Sequence, residues 1–335
     1  MSKRDHILVG LDIGTTKICA IVAEVPEEGP LNIIGVGSCP SRGLRKGVVV
    51  NIESTVESIK KAVEEAELMA AVQINSVYTG IAGSHISGEN LKGVVALKKQ
   101  EVTRDDISRA VESARTLAVI PHERRILHVL PREFMVDDQE GVREPLGMSG
   151  NRLEVNVHVI TGAVTSAQNI IKSVNRAGLD VVDIILQPLA SSEAVLSAEE
   201  RELGVAMVDL GGGTTDLAIF LDGSIRHTAV LPIGGQNLTK DLAIGLLTSQ
   251  TDAEKIKVQH GIARTELVHG HQMVEVPSVG DRPPRQFTRR DIAEILEPRV
   301  EEMFDLVKRE IVRAGYEGML GAGVVITGGT SLLEG

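Results

Sequence analysis

A chain of 335 residues exceeds the roughly 100 to 200 residues of one compact domain, which predicts two domains or one elaborated α/β unit. Only 2% of the residues are aromatic and none is Trp, which disfavours proteins that stack nucleic-acid bases on aromatic side chains. The 46 acidic residues outnumber the 35 basic ones, and the formal net charge of -11 repels phosphate backbones. We therefore expect no nucleic-acid partner.

The cysteines and the apolar runs indicate a reducing, aqueous compartment. Cys19 and Cys39 each lie in an apolar strand-like run, which fits neither a disulfide framework nor a cysteine zinc site. A long run without a formal charge lies between Glu154 and Lys172 and is too polar to cross a bilayer. The sequence thus predicts a protein of the cytosol without a transmembrane helix.

The first third of the chain predicts a sheet followed by a helix. Three strand-like runs fill residues 7–39 and predict an antiparallel meander. Ser54 is predicted as the N-cap of a helix, because apolar residues then recur every three or four positions up to Ala70. A fourth strand is predicted over residues 76–83.

The stretch from about residue 84 to 162 predicts an inserted α/β unit, whose helix is opened by the capping signal beginning at Thr103. A second meander begins near Val208. Pro298 is expected to kink or divide the last long helix. The other predicted elements are helices over 165–177, 189–198, 238–247, 252–261 and 288–313, and strands over 181–186 and 323–329.

Two segments about two hundred residues apart repeat the same pattern. LDIGTTKICAIV begins at Leu11, and VDLGGGTTDLAIF begins at Val208. Each is a hydrophobic strand ending in Asp, a turn of Gly and Thr, and a second hydrophobic strand. A repeat of this length indicates a duplicated domain.

These turns match neither the P-loop nor the dinucleotide-binding spacing of glycines, which indicates a different phosphate site. Turns without large side chains expose backbone N–H groups that converge on an anion, and the Thr hydroxyls add donors. Asp12 and Asp209 end the adjacent strands, where their carboxylates imply Mg²⁺ between themselves and a phosphate. Lys17 can pair with a phosphate as a point charge. Two ordinary β-hairpins remain an alternative for either turn alone.

Four motifs resemble segments of the actin, Hsp70 and sugar-kinase ATPase superfamily. They are the phosphate motifs LDIGTTK and VDLGGGTTD, the connecting helix IILQPLASSEAVL and the adenosine motif VVITGGTSLLEG. Within that superfamily, segments along nearly the whole chain, such as DAEKIKVQHG and VEVPSVGDRPPR, are similar to the FtsA family of bacterial cell-division proteins. The resemblance implies an α/β protein with the actin-like ATPase fold, in two duplicated α/β halves, that binds ATP and Mg²⁺.

The resemblance also implies a role for individual residues. Asp12 and Asp209 would face hydrated Mg²⁺. Gln187 would position an attacking water, although a neutral amide is a poor base, so any hydrolysis should be slow; a polar residue at a helix start explains it equally well. The first phosphate loop would comprise Asp12, Gly14, Thr15, Thr16 and Lys17, and the second Asp209, Gly211, Gly212, Gly213, Thr214 and Thr215. The ribose and adenine pocket would be lined by Gly234, Gly235, Glu254, Lys257, Gly328, Gly329 and Ser331.

The position of the insert also agrees with this resemblance. In most actin-like folds an extra subdomain follows the third strand, but here only residues 40–53 separate that strand from the first long helix. The insert falls after the fourth strand instead. The implied domains are 1A (1–83 and 163–187), 1C (84–162) and a second half over 188–335, made of 2A with 2B at about 236–311.

Partners follow from the same resemblance. The basic residues Arg289, Arg290 and Arg299, with Ile292 and Leu296 nearby, would form a groove for the acidic C-terminal tail of the tubulin-like protein FtsZ. FtsA-like chains continue past the adenosine motif to an amphipathic helix that lies on the membrane, whereas this sequence ends at Gly335. A solvated basic surface is the alternative for the arginines.

The sequence thus predicts an ATP-binding scaffold that forms filaments, tethers FtsZ to the cytoplasmic face of the membrane at the division site, and recruits later division proteins through the insert. A sugar or acetate kinase is an alternative, but no further carboxylate is placed as a substrate-activating base. A pilus-assembly scaffold of the same fold is a second alternative.

Overall fold

The computed structural model describes residues 7–270, 272–280 and 282–335. Its strands are β1 (Ile7–Ile13), β2 (Lys17–Glu24), β3 (Asn32–Pro40), β4 (Leu44–Arg45), β5 (Val48–Val49), β6 (Ser76–Ile81), β7 (Ser87–Ala96), β8 (Arg124–Val136), β9 (Gln139–Val142), β10 (Arg152–Ala163), β11 (Asp180–Leu186), β12 (Val205–Leu210), β13 (Thr215–Leu221), β14 (Ser224–Leu231), β15 (Met273–Val276), β16 (Arg285–Thr288) and β17 (Gly323–Thr327). Its helices are α1 (Ile52–Ala70), α2 (Arg104–Leu117), α3 (Val164–Arg176), α4 (Gln187–Val195), α5 (Ala198–Leu203), α6 (Gly235–Gly245), α7 (Gln250–His260) and α8 (Arg289–Arg313).

The first half is a five-stranded sheet in the order β11-β6-β1-β2-β3. β1, β2 and β3 form the predicted antiparallel meander, while β6 and β11 run parallel to β1. Alternate side chains of β1, such as Val9 and Leu11, point to one face and pack with α1 and α3 into one core. The predicted N-cap of α1 is wrong. Asn51 caps the helix, and its side chain accepts a hydrogen bond from the Ser54 backbone N–H, so the helix begins before Ser54.

The insert is the four-stranded sheet β7-β10-β8-β9 with α2 on one of its faces. The Thr103 capping signal is confirmed, because its side chain and that of Asp106 form a reciprocal capping box. Val155, Val157 and Val159 point from β10 toward the α2 face and are almost completely buried. The alternate residues of the same strand, including His158, point to the opposite face.

The second half repeats the first. Its sheet has the order β14-β13-β12-β17, with β12, β13 and β14 antiparallel and β17 parallel to β12. This is the arrangement of β3-β2-β1-β6 in the first half, which confirms the duplication. The last pair of β1 and β2 is Ile13 with Ile18, and that of β12 and β13 is Leu210 with Thr215, so each pair encloses a turn of four residues, 14–17 and 211–214.

Helices α6, α7 and α8 and the hairpin β15–β16 complete the second half around a core that includes Leu238, Leu242 and Leu296. The sequence predicts that Pro298 kinks or divides this helix, and α8 is one continuous helix with Pro298 inside it, so it is not divided. Met303 and Val307, which follow the proline, are buried in the same core as Leu296. This packing stabilises the helix on both sides of Pro298, which has no backbone N–H to donate. Within the described chain, no helix combines the length and apolar character that a membrane crossing requires.

Candidate functional site

A cavity of about 890 Å³ lies between the two halves. Both Gly-containing turns, the C-terminal end of β1, the start of α4 and the end of β17 line it. The lining includes most of the residues predicted for the site, namely Asp12, Gly14, Thr15, Thr16, Lys17, Gln187, Asp209, Gly211, Gly212, Gly213, Thr214, Gly235, Glu254, Lys257, Gly328 and Gly329. Residues from both halves therefore converge on one cleft.

The two turns have the same hydrogen-bond pattern. The Gly14 N–H donates to the Lys17 carbonyl, and the Gly211 N–H donates to the Thr214 carbonyl, both at 3.0 Å. The turns also contact each other, because a Cβ added to Gly212 would lie 2.5 Å from Thr16 Oγ1. Any phosphate therefore binds in the cavity beside this contact, or the turns separate to admit it.

Gly213 makes the matching contact on the other side. A Cβ built there would lie 2.5 Å from Thr15 Oγ1, closer than real Cβ atoms approach a heavy atom. The Thr15 hydroxyl in turn accepts a hydrogen bond from the Gly47 N–H at 2.9 Å. Glycine at 212 and 213 is thus required by the closeness of the two halves.

Helix α4 holds the two strand-end carboxylates. Gln187 Nε2 donates to Asp12 Oδ1 at 2.6 Å, and the Ser191 hydroxyl donates to Asp209 Oδ2 at 2.7 Å. Residues 187 and 191 are four apart, so one face of the helix presents both donors. Sequence analysis did not identify Ser191, although its spacing from Gln187 was a usable signal.

A third carboxylate lies beside these two. Asp216 is opposite Asp209 in the pairing of β12 with β13, lines the cavity, and is 4% exposed. Its Oδ2 accepts a hydrogen bond from the Thr214 hydroxyl, whereas its buried Oδ1 has no hydrogen-bond partner. Asp216 ends the GGGTTD motif and was missed, because the motif does not show that this side chain points into the cleft.

Burial raises the pKa of all three carboxyl groups, and neighbouring negative charge adds to this for Asp12 and Asp216. Enclosure by the cleft walls, and then the charge of Asp209, raise the pKa of Asp12 to about 6. Burial raises the pKa of Asp209 as well. Burial, followed by the charge of Asp209, raises the pKa of Asp216 to about 8. A bound cation would relieve this repulsion.

Three predicted lining residues lie outside the cavity wall. The Thr215 hydroxyl is fully buried and donates to the Ile233 carbonyl, so it is not a phosphate donor. Ser331 donates to the Gly328 carbonyl, and its neighbour Thr330 lines the cavity instead. Gly234 supports the second turn from behind, because a Cβ there would lie 2.7 Å from the Gly211 carbonyl oxygen.

The opposite end of the cavity carries an ion pair from α7. Lys257 Nζ lies 2.7 Å from Glu254 Oε2 and donates to the Gly235 carbonyl at 3.2 Å. Gly328, at the end of β17, has φ +88° and leaves no room for a Cβ, which would lie 2.6 Å from the Leu210 carbonyl oxygen. These residues provide a flat backbone surface beside polar groups.

The three arginines predicted to bind a partner do not form one groove. Arg289 lines the cavity, donates to the His260 carbonyl and pairs with Glu334. Arg290 is exposed and pairs with Glu294. Arg299 lies ten residues along α8 and contacts Asp241 at 2.6 and 3.1 Å.

The apolar lining expected for that groove is also wrong. Ile292 and Leu296 are 0% exposed and belong to the core of the second half. The sequence pattern identified the apolar stripe of an amphipathic helix, and the stripe packs inward. An exposed apolar side chain on α6 is instead Ile244, three residues after the Asp241 that pairs with Arg299.

In the described parts of the chain, no three His, Cys, Asp or Glu side chains converge closely enough to hold a metal ion by themselves. Asp12 and Asp209 could therefore hold a cation only together with other ligands, such as water or phosphate oxygens. With such ligands, the cleft offers a divalent cation the carboxylates of Asp12 and Asp209 and the unpartnered Oδ1 of Asp216 as oxygen donors.

Comparison with known protein families shows the family to which this chain belongs. Residues 83–161 match the family model described as the SHS2 domain inserted in FtsA, and residues 206–335 match the model of cell division protein FtsA. The chain is 54% identical over 329 residues to the cell division protein FtsA of Pseudomonas aeruginosa, covering 98% of this chain and 79% of that protein. The chain belongs to the FtsA family of cell-division proteins. The Bacillus subtilis FtsA is 41% identical, with 99% of this chain and 75% of that protein covered.

Solved structures of low sequence identity show the same fold. A PilM-PilN type IV pilus biogenesis complex matches with a TM-score of 0.68 at 18% identity, covering 98% of this chain and 83% of that one. MreB5 of Spiroplasma citri bound to ADP matches with a TM-score of 0.56 at 14% identity, covering 98% and 87%. The fold is that of the actin-like ATPases, as predicted, and FtsA membership gives the chain a role in cell division.

Proposed function

We propose that this FtsA relative is a scaffold of the division ring whose cleft binds ATP with Mg²⁺. The observation that supports this most is the matched pair of turns, each two residues after a strand-end Asp, on a cavity of about 890 Å³. That volume falls in the range of small-molecule and cofactor sites. The MreB5 structure with ADP shows that a protein of this fold binds an adenine nucleotide.

Different residues of the cleft would contact the phosphates, the metal ion and the nucleoside. The N–H groups of Gly212 and Gly213 would donate to phosphate oxygens, whereas the Gly211 N–H already donates within the turn, and Lys17 adds a positive charge. Asp12 and Asp209 would hold Mg²⁺ through water, and the bound ion would neutralise phosphate charge. Gly328 and Gly235, with the Glu254–Lys257 pair, would contact the nucleoside.

We expect at most slow ATP hydrolysis because of the surroundings of Gln187. Its amide nitrogen already donates to Asp12 at 2.6 Å, and an amide cannot accept a proton from water. Asp12 and Asp209, the neighbouring carboxylates, accept hydrogen bonds from α4 and are assigned to Mg²⁺ rather than to a water proton. We therefore assign Gln187 the positioning of Asp12, and of a water when nucleotide is bound.

Titration calorimetry with ATP tests the cleft. Gly212→Val places a branched side chain against Thr16, so ATP affinity should fall at least tenfold. Asp209→Ala should weaken binding with Mg²⁺ present and much less in a chelator. Asp138→Ala is the matched control, because Asp138 is fully exposed and lies in the insert. Parent-like ATP affinity in both cleft variants would show that nucleotide binds elsewhere or not at all.

We further propose that the FtsZ C-terminal tail binds where α6 meets α8. Arg299 and the exposed Lys240 provide positive charge there, and Ile244, 62% exposed, provides an apolar contact. A tail carboxylate would compete with Asp241 for Arg299. Arg289 and Arg290 lie near the start of α8, away from this surface, and Arg289 is assigned to the nucleotide cleft.

Filament formation, recruitment of later division proteins through the insert, and attachment to the cytoplasmic face of the inner membrane through a C-terminal amphipathic helix complete the proposal. The family relationship supports these roles in general terms. Sedimentation with Mg²⁺ and ATP tests filament formation. Pelleting that is equal with and without nucleotide would contradict an ATP-dependent filament.

A further inference from the structure

The insert joins the two halves of the molecule at a second place. It leaves the first half after β6 and returns to it at α3, so both of its covalent connections belong to that half. Its sheet, however, packs against β14, the edge strand of the second half. Any movement of one half relative to the other must therefore carry the insert along or break this contact.

Polar groups make much of the contact. His158 on β10 is 1% exposed, and its Nε2 lies 3.0 Å from Thr228 Oγ1 on β14. Its Nδ1 lies 2.8 Å from Asn90 Oδ1 on β7, and Asn90 Nδ2 donates to the Arg226 carbonyl at 3.2 Å. Leu130 of the insert packs against a small hydrophobic cluster in the second half. Polar interfaces within one chain typically open and close more readily than apolar cores.

The backbone at Gly88 is adapted to this contact. A Cβ at that position would lie 2.6 Å from His158 Nε2 and 2.7 Å from Thr228 Oγ1. The φ angle of Gly88 is not in the left-handed region, so conformational freedom does not explain the glycine. The glycine is explained instead by the space that the side chains of His158 and Thr228 occupy.

β14 continues directly into the support of the second phosphate turn. The strand ends at Leu231, and within five residues the Gly235 and Gln236 N–H groups donate to the carbonyls of Gly211 and Gly212 at 2.9 and 2.8 Å. Thr228 thus lies three residues before the end of the strand that positions this turn. A shift of β14 at Thr228 would be transmitted to the turn through the covalent chain.

We propose that docking of the insert on β14 through His158 is coupled to nucleotide occupancy of the cleft, so that each favours the other. The coupling rests on the proposed nucleotide binding and adds a regulatory role for residues that do not line the cavity. Since linkage is reciprocal, nucleotide should protect the docked interface, and loss of docking should weaken nucleotide binding by the same factor.

Thr228→Val tests the coupling, because valine keeps the shape of threonine and removes the hydroxyl that faces His158. We expect faster hydrogen exchange in β7 and the insert-facing part of β14 without nucleotide, and about fivefold or greater loss of Mg-ATP affinity by calorimetry. Thr228→Ser, which restores a hydroxyl, should behave like the parent. Asn90→Ala provides a second route from the insert side, and Arg115→Ala, which removes an exposed pair with Glu112 on α2, is the control.

The outcomes separate the two proposals. A parent protein that binds no nucleotide overturns the proposed function and the coupling together. A parent that binds Mg-ATP, with Thr228→Val and Asn90→Ala showing faster exchange but unchanged affinity, overturns the coupling alone. Unchanged exchange in both variants would show that these hydrogen bonds do not hold the insert in place, which also contradicts the proposal.

Discussion

Asp216 lies beside the second turn with one carboxylate oxygen lacking a hydrogen-bond partner. Its pKa of about 8 in the folded protein lies above the ordinary value of 3.8. The fold therefore favours the protonated form, and Asp216 should reduce stability progressively as pH rises from about 4 to about 8. The slope is at most about 1.4 kcal/mol per pH unit.

Asp216→Asn should remove this slope. Urea unfolding between pH 5 and pH 9 measures the effect, and the variant should gain stability relative to the parent as pH rises. Asp138→Asn is the control, since its carboxylate is fully exposed. A parent-to-variant difference that stays constant with pH would show that Asp216 has an ordinary pKa.

Gly328 and Gly329 provide a matched pair at the other end of the cleft. Gly328 has φ +88°, and a Cβ there would overlap with Asp209 Oδ1, whereas a Cβ at Gly329 would meet nothing within 4 Å. Gly328→Ala should therefore lower the free energy of unfolding by about 1 to 3 kcal/mol. Gly329→Ala should leave stability close to that of the parent. Thermal unfolding of both variants checks this, and equal effects would contradict the geometry.

Helix α8 connects two proposed sites, because Arg289 faces the nucleotide cleft and Arg299 lies about 15 Å along the helix axis. Arg289→Gln should weaken ATP binding and leave FtsZ tail binding intact. Arg299→Gln should weaken tail binding about tenfold and leave ATP binding intact. Calorimetry with ATP and fluorescence anisotropy with a labelled tail peptide measure the two affinities.

Arg309→Gln is the control for α8, because Arg309 is exposed on the same helix, a further ten residues along. Loss of tail binding in the control would point to nonspecific charge attraction. If Arg289→Gln weakens the tail complex and spares ATP, the two ends of the helix have been assigned the wrong way round.

The secondary structure around the site was largely predictable, because strand alternation, glycine turns and capping signals act over a few residues. The paired turns and the Thr103 cap illustrate this. Side-chain direction was less predictable. Thr214 and Thr215 are adjacent, and only the sheet register decides that the second hydroxyl turns away toward Ile233. Arg289 joins the cleft only through the tertiary position of α8, which no local pattern shows.

At the scale of the whole molecule, deletion of the insert is expected to change stability as well as function. From sequence, removing residues 84–162 should leave ATP affinity nearly intact while filament formation falls. The structure instead has Leu130 of the insert packed on a cluster of the second half, and removal would expose that cluster together with buried Thr228. We therefore expect the deletion protein to lose thermal stability, which differential scanning calorimetry measures.

An unchanged melting temperature in that deletion protein would show that the insert contributes little to the fold. The truncation also removes Asn90 and His158, so its nucleotide affinity should fall with that of the Thr228 and Asn90 point variants. ATP affinity retained in a folded deletion protein would instead support the sequence-based expectation.

The contact between the two turns bears on how the halves diverged. Turn positions correspond as Thr15 to Gly212 and Thr16 to Gly213, so a single two-fold axis relates the Thr15–Gly213 contact to the Thr16–Gly212 contact. Two ancestral copies that both carried threonine would overlap at this axis, and two that both carried glycine would leave a gap. The contact therefore requires glycine in one turn and threonine in the other, so a substitution at either turn constrains the matching position of the other half.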